Sequence, residues 1–320
     1  MKNETTTMKH LKPFLLTAAA LVAASSVSAS IDIATSYVGD ADNTADSTTG
    51  SPGAVGYGYH VGTHEVTNSQ YVSYLNATGS TNAHGVYNSN MGSSEHGGIQ
   101  QTGTSGSFTY NVKSGFGDKP VNFVSFWDAA RFTNYLTTGD TESGVYVLTP
   151  TGISNNTITR NETAWNAGGV AVVSDDEWYK AAYYKGGSTN AGYWDYAHQS
   201  DTIGTADANY ADSVGTVADV GTYSDSVSYY GTYDQNGNVV EQTDTWAGAN
   251  RFLRGGAFIS TVDILESSYR NYGVPTHEST YLGFRVSSLG TIPEPSSYAA
   301  MFGCLALTVA IIRRKGRRTL

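Results

Sequence analysis

Asp234, Asn236, Asn238 and Glu241 crowd side-chain oxygens around Gly237, in the stretch Gly231-Thr-Tyr-Asp-Gln-Asn-Gly-Asn-Val-Val-Glu241. A hard cation such as calcium takes about six to eight oxygens at roughly 2.4 Å, and this donor set suits one. The Asp-x-Asn-x-Asn pattern is that of an EF-hand loop, but the Gly and Glu offsets are not. An Asx-rich turn with solvated acids explains the same residues, so the local sequence leaves both readings open.

Sulfur chemistry is excluded from most of the chain. Its single cysteine, Cys304, lies in an apolar stretch near the C-terminus. Residues 30–290 therefore hold no disulfide, thiolate metal site or cysteine nucleophile. The histidines there are His60, His64, His84, His96, His198 and His277. Only His60 and His64 have a ligand-like spacing. They fall on a β-like run, where solvated or strand-packing roles explain them better than a metal does. Asp263 and Glu266 form an acid pair whose separation nothing fixes, so no reaction is assigned to them. Trp194 and Trp246 are candidates for stacking on a sugar, whereas Trp127 and Trp178 sit at helix starts and are expected in the core. Arg254, Arg270 and Arg285 either line a pocket or hold buried carboxylates, and the acidic composition favours the second.

The elements that position these groups are short. Capping boxes at Thr67 with Gln70, Ser125 with Asp128, and Ser174 with Glu177 announce three helices. Behind them, Tyr71, Tyr74 and Leu75, then Ala129, Phe132, Tyr135 and Leu136, then Trp178, Ala181 and Ala182 recur at helical spacings. Each helix should lay one face on a core. Gly139 stops the second helix, and Lys185 with Gly186 the third. β-like runs fall at 170–173, 251–258 and 284–286. The 36 glycines and 14% charged residues predict long loops, while five Trp, ten Phe and 23 Tyr argue that packing orders them. The segment 40–52 is the expected mobile piece. Residues 30–288 read as a single α+β domain with little regular structure.

Both ends lie apart from that domain. Residues 1–29 carry Lys2, Lys9 and Lys12, an apolar run from Phe14 to Ala24, and Val27-Ser-Ala29. That is the layout of a secretory signal peptide cleaved after Ala29. Residues 289–320 carry Pro293, Glu294 and Pro295, an apolar run from Tyr298 to Ile312, and an Arg-rich end. Fifteen residues at about 1.5 Å each reach about 23 Å, so the run is a marginal transmembrane span that snorkelling arginines would assist. The order of these parts resembles the PEP-CTERM sorting signal of exported bacterial proteins. The resemblance implies tethering to the inner membrane and then processing near Pro293–Pro295 by an exosortase-like peptidase. It also implies delivery to the cell surface or matrix. Between 30 and 290, ten Lys and Arg face 26 Asp and Glu, about −16 against −10 for the whole chain. Such a body repels phosphate backbones, which excludes nucleic acid as a partner.

The remaining motifs run in order: His64-Glu-Val-Thr-Asn-Ser-Gln-Tyr71, Pro120-Val-Asn-Phe-Val-Ser-Phe-Trp-Asp-Ala129 and Val173-Ser-Asp-Asp-Glu-Trp178. Then come Gly231-x-Tyr-Asp234, Gly237-Asn-Val-x-Glu241, Arg254-Gly-Gly256, Arg270 and Gly283-Phe-Arg285. Together they resemble the sulfatase-modifying-factor, or formylglycine-generating-enzyme, family over most of residues 55–287. The resemblance implies a variant of the C-type-lectin fold, with a small twisted sheet and helices beside it. Its oxidases use a copper ion held by two cysteines that follow Arg-Gly-Gly. Here the stretch reads Ala257-Phe-Ile-Ser-Thr-Val-Asp-Ile-Leu265, with Ser260 near the first position and Ile264 or Leu265 near the second. Neither a hydroxyl nor an alkyl group supplies the thiolate that Cu(I) prefers, so no copper is expected. A second branch binds iron through a separate helical domain, for which this chain has no room. A third uses the fold as a rigid frame for ligand-binding loops.

The resemblance also implies structural calcium. Asp234 and Glu241 would give side-chain oxygens, and Gly237 and Val239 backbone carbonyls. A second site would use Asn209, the Tyr210 carbonyl and Asp212. Ligand contacts are expected at Trp194, Trp246, Ser260 and Arg270, for a surface glycan or a protein. The expected role is a calcium-stabilised, non-catalytic binding scaffold. The alternative is an oxidase-like enzyme with a rewired, iron-dependent site.

Overall fold

The computed structural model describes residues 31–48 and 50–291. The signal-like N-terminus, the sorting motif at Pro293, Glu294 and Pro295, and the apolar tail with Cys304 lie outside the described residues. Among those described, no helix is long and apolar enough to cross a membrane.

The strands are β1 (Thr35–Val38), β2 (Tyr59–Gly62), β3 (Ile99–Thr102), β4 (Thr109–Val112), β5 (Val170–Val172), β6 (Val240–Ala247), β7 (Asn250–Arg254), β8 (Asn271–Gly273), β9 (Leu282–Phe284) and β10 (Val286–Ser288). The helices are α1 (Asn68–Thr78), α2 (Asn90–Ser93), α3 (Phe126–Thr138), α4 (Pro150–Asn155), α5 (Glu162–Asn166) and α6 (Asp175–Tyr183). One antiparallel sheet has the order β1-β2-β10-β5, a second has the order β8-β7-β6-β9, and β3 with β4 forms a hairpin. In the second sheet β6 and β9 run parallel and the other pairs antiparallel.

The three predicted helices form, each with both halves of its capping box in place. Gly139 ends α3 in the left-handed conformation (φ 79°), a backbone that glycine adopts without a Cβ penalty. Helix α6 stops at Tyr183, before the expected Lys185 and Gly186, because Tyr184 turns into extended backbone. Strand β7 is likewise shorter than the predicted run. It ends at Arg254, since Gly255 and Gly256 both take positive φ.

Strands β1, β3, β4, β6 and β8 and helices α2, α4 and α5 were not foreseen. At four to six residues, those helices are too short to show a period. Residues 40–48 and 50–52 are bonded into the fold despite their polar composition. Asp42 N donates to Val55 O (2.9 Å), Thr44 N to Thr189 O (2.8 Å) and Asp46 N to Pro52 O (3.0 Å). Asn43 is buried and its Nδ2 donates to Gly53 O at 2.8 Å, so its amide supplies bonds a strand partner would otherwise make.

The two largest apolar clusters do most of the packing. In the larger, α1 and α3 meet through Tyr71, Tyr74 and Phe132, and Phe132 meets Phe284 of β9 edge-on at 5.5 Å. Every residue of α3 from Phe126 to Leu136 is buried, including Trp127. The second cluster lies under α6, where Trp178 and Tyr183 pack with Tyr59 and Val61 of β2. Each fully buried aromatic contributes about 1.5–3 kcal/mol, which lets small sheets suffice.

Strand β6 connects the two ends of this architecture. It starts at a buried charge cluster around Glu241. Towards its other end, Thr245 Oγ1 accepts the first backbone N–H of α6, from Asp175, at 2.8 Å.

Candidate functional site

Glu241 is fully buried, and both its carboxylate oxygens accept from Arg285, from Nε and Nη2 at 2.6 Å each. The guanidinium also donates to the carbonyls of Gly62 (3.0 Å) and Tyr233 (3.0 Å). Arg285 thus ties β2, β6 and the 231–239 loop together. Nearby, Asp234 takes φ 60° and its Oδ2 accepts from Gly221 N at 2.6 Å. Burial pushes its carboxyl up to about 6, against the pull of that N–H and of Arg285. Glu65 is raised well above the usual range by burial, then by Asp234 and Glu241. Its Oε1 accepts from Asn238 Nδ2 at 3.1 Å. His64 stacks on Tyr233 at 5.2 Å and is held down to about 4 by burial and by Arg285.

The predicted oxygen donors therefore divide. Glu241 already faces a guanidinium, and a cation beside it would compete with Arg285, so this residue does not fit a calcium site. Gly237 and Val239 belong instead with Asn209. Asn238 N donates to Asn209 O at 2.8 Å, and a Cβ on Gly237 (φ 87°) would lie 2.2 Å from that same oxygen. Val239 is buried beside Val217 and Phe258. Asn209 itself is buried. Its Nδ2 donates to Thr216 O (2.9 Å) and Asn238 Oδ1 (3.2 Å), while its Oδ1 has no donor. A buried amide oxygen without a partner is a group that a hard cation satisfies. Asp212 is exposed at φ 56°, and its N donates to Phe258 O at 2.7 Å. Asn209, the Tyr210 carbonyl and Asp212 thus fit calcium by donor type. Among the described residues no group of three or more His, Cys, Asp or Glu is arranged to hold a metal, so such a site would rest on the one carboxylate of Asp212 with amide and carbonyl oxygens.

The segment after Arg254-Gly-Gly256 packs against this loop. Ala211 N donates to Ser260 O at 2.9 Å. Ser260 Oγ accepts from Ala257 N at 2.9 Å, closing its own turn. Leu265 is fully buried with Tyr196, Ala208 and Tyr210. Glu266 accepts from Tyr196 Oη at 3.3 Å, while Asp263 is exposed on a short 3-10 turn.

Arg270 is elsewhere. Its Nη2 donates to Asp175 Oδ2 at 2.7 Å, and its guanidinium lies 3.5 Å over the Phe252 ring. Arg254 takes the same fully buried carboxylate through Nε at 2.6 Å and Nη2 at 3.1 Å. The two candidate tryptophans are also apart. Trp194 N donates to Tyr183 O, at the C-terminal end of α6, and Lys185 lies 4.1 Å over its ring. Trp246 belongs to the opposite end of α6, about 14 Å away for nine residues, and rests on Arg251 at 3.9 Å.

A larger opening at that N-terminal end was not foreseen. It is a cleft of about 840 Å³ bordered by Tyr57, Arg160, Trp165, Asp244 and Trp246 among others. Arg160 anchors it, donating to Asp244 Oδ2 (2.7 Å), Glu177 Oε1 (2.9 Å) and Val172 O (2.9 Å), with its plane 4.0 Å from the Trp165 ring. Burial disfavours the charged form of Glu177, but Arg160 outweighs it and holds the carboxyl below its usual value. Arg160 lies in a loop without periodicity, so no sequence signal pointed to it.

With this geometry in view, the comparisons decide the family. Residues 35–288 match the family described as Sulfatase-modifying factor enzyme 1-like domain. The chain belongs to this family. Treponema denticola variable protein 1 superposes with a TM-score of 0.55 at 19% identity, covering 81% of this chain and 95% of that one. A protein described as CarF gives 0.55 at 21% identity, covering 81% and 99%. At such identities the likeness establishes the fold alone, which is the single-domain, helix-poor architecture that the family motifs implied. No curated protein matches the chain.

Proposed function

We propose that this family member is a non-catalytic recognition scaffold, exported to the cell surface and stabilised by calcium. The observation that carries the reading is the build of residues 257–265. Where the family's oxidases place two thiolates, Ser260 closes a turn onto Ala257 and Leu265 fills an apolar cluster. Neither side chain is a ligand for Cu(I). The alternative, an oxidase-like enzyme with a rewired iron site, finds no group of three or more His, Cys, Asp or Glu placed to hold a metal among the described residues.

Calcium enters through the orphaned Asn209 Oδ1, with Tyr210 and Asp212 as further oxygen donors. At about 100 times its dissociation constant, bound calcium adds roughly 2.7 kcal/mol to stability. Export, inner-membrane tethering and exosortase-like processing near Pro293–Pro295 belong to the same proposal and rest on the sequence of the two ends. The mature protein's termini, read by intact mass, test that part.

Elemental analysis of the purified full chain tests the metal assignment. Calcium without copper or iron agrees with the scaffold. Stoichiometric copper or iron together with oxygen consumption overturns it.

A further inference from the structure

The cleft at the N-terminal end of α6 has the composition of a sugar-binding surface. Its walls carry two aromatic rings that reach solvent. Tyr57 is 38% exposed, and its Oη donates to Glu177 Oε1 at 2.8 Å, which fixes the ring. Trp246 is half-buried and held from one side by Arg251, which is itself stacked on Phe126 at 3.9 Å. The register of β6 against β7 shifts between Gln242 and Trp246, and such a bulge re-aims the residues that follow it. Thr159, Glu162 and Asn166 stand exposed around the rim. They offer a hydroxyl, a carboxylate and an amide beside the aromatic surface.

We infer that this cleft binds a neutral oligosaccharide, an assignment that rests on the recognition-scaffold reading above. The C–H face of a pyranose packs on an aromatic ring, while its hydroxyls bond to carboxylates, amides and hydroxyls at the edge. A volume of about 840 Å³ admits more than one sugar unit. An anionic ligand is disfavoured, because Arg160 is already bonded to Glu177 and Asp244. An extended peptide is disfavoured by the state of β5, the edge strand beside the cleft. Val172 O accepts from Arg160 and Val172 N donates to Tyr146 Oη at 3.2 Å, so strand addition finds those backbone groups taken. The residues fitting calcium, Asn209, Tyr210 and Asp212, do not border the cleft, so sugar binding here is independent of the metal.

The test titrates the full chain, in mild detergent, with neutral hexasaccharides of glucose, xylose, mannose and galactose, following tryptophan fluorescence and heat. At least one should bind saturably. Trp246→Ala should weaken that sugar by about tenfold or more. Glu162→Gln, at an exposed rim position, should weaken it severalfold. Tyr37→Ala, on the exposed edge strand β1 at the opposite side of the first sheet from β5, should leave it unchanged. Binding should persist in chelator at a temperature where the protein stays folded. The assignment is overturned if no sugar binds, if Glu162→Gln and Trp246→Ala both bind like the parent, or if chelation of the folded protein abolishes binding. Saturable binding of an unstructured peptide that Trp246→Ala removes would overturn it in favour of a protein ligand. Failure of the sugar leaves the non-catalytic reading in place, because that reading stands or falls on oxygen consumption with copper or iron.

Discussion

Arg285 reaches Glu241 across 44 residues of sequence and bonds both its carboxylate oxygens at 2.6 Å, with neither side chain exposed. The pair sits where β2, β6 and the turn between β9 and β10 converge. Family membership suggested a metal ligand at position 241, but the structure places the anion against a guanidinium.

Glu241→Ala should therefore destabilise the fold by about 3–5 kcal/mol, because it leaves a buried guanidinium uncompensated. Arg285→Lys should also destabilise, since one ammonium cannot reach both carboxylate oxygens and the Gly62 and Tyr233 carbonyls. Urea unfolding measures both. A loss under about 1 kcal/mol for Glu241→Ala would show that the pair is not the clamp described.

Asp234 gives a pH signature. Its folded-state carboxyl is raised to about 6 by burial, so the native protein holds a proton that the unfolded chain has already released. The contribution is full below the unfolded value of about 4 and is lost as pH rises towards 6. Asp234→Asn, which keeps an oxygen for the Gly221 N–H, should remove this slope. Stability of the parent minus that of the variant, followed by denaturant unfolding from pH 4 to 7, should fall with pH. A difference that rises would reverse the assignment.

Gly237 and Asn209 are in contact so close that no side chain fits between them. Gly237→Ala puts a Cβ 2.2 Å from the Asn209 oxygen at φ 87°, and should cost about 2 kcal/mol or more. Gly139→Ala is the control. It has similar φ but open space around the new methyl, and should cost only about 1–2 kcal/mol of backbone strain. Equal losses in thermal unfolding would mean that the contact with Asn209 is not tight.

Calcium should raise the melting temperature of the chelator-treated protein, and Asp212→Asn should reduce that increment without altering the metal-free value. Asp212 is exposed, so its role as an anion can be removed without disturbing a core. No shift on adding calcium to the parent would remove the metal from the account.

Local signals carried the fold well where they were strong. Each capping box names the residue that bonds its own backbone, so α1, α3 and α6 were readable from a few positions. Loop order was not readable in the same way. Asn43 and Arg160 organise long segments by side-chain bonds to distant carbonyls, and polar composition alone suggests mobility in the first case and nothing in the second. The three arginines were expected to hold carboxylates, and they do, with Arg254 and Arg270 sharing Asp175. The cleft escaped notice because Tyr57, Arg160 and Trp246 are far apart in sequence and meet only through sheet topology.

The most direct test of the central claim is oxidation itself. The full chain, loaded with Cu(I) and supplied with oxygen, would be given a cysteine-containing sulfatase-type peptide, and the products read by mass spectrometry. The scaffold account predicts unchanged peptide thiol and no oxygen uptake. Conversion of the cysteine to an aldehyde over repeated turnovers would contradict it.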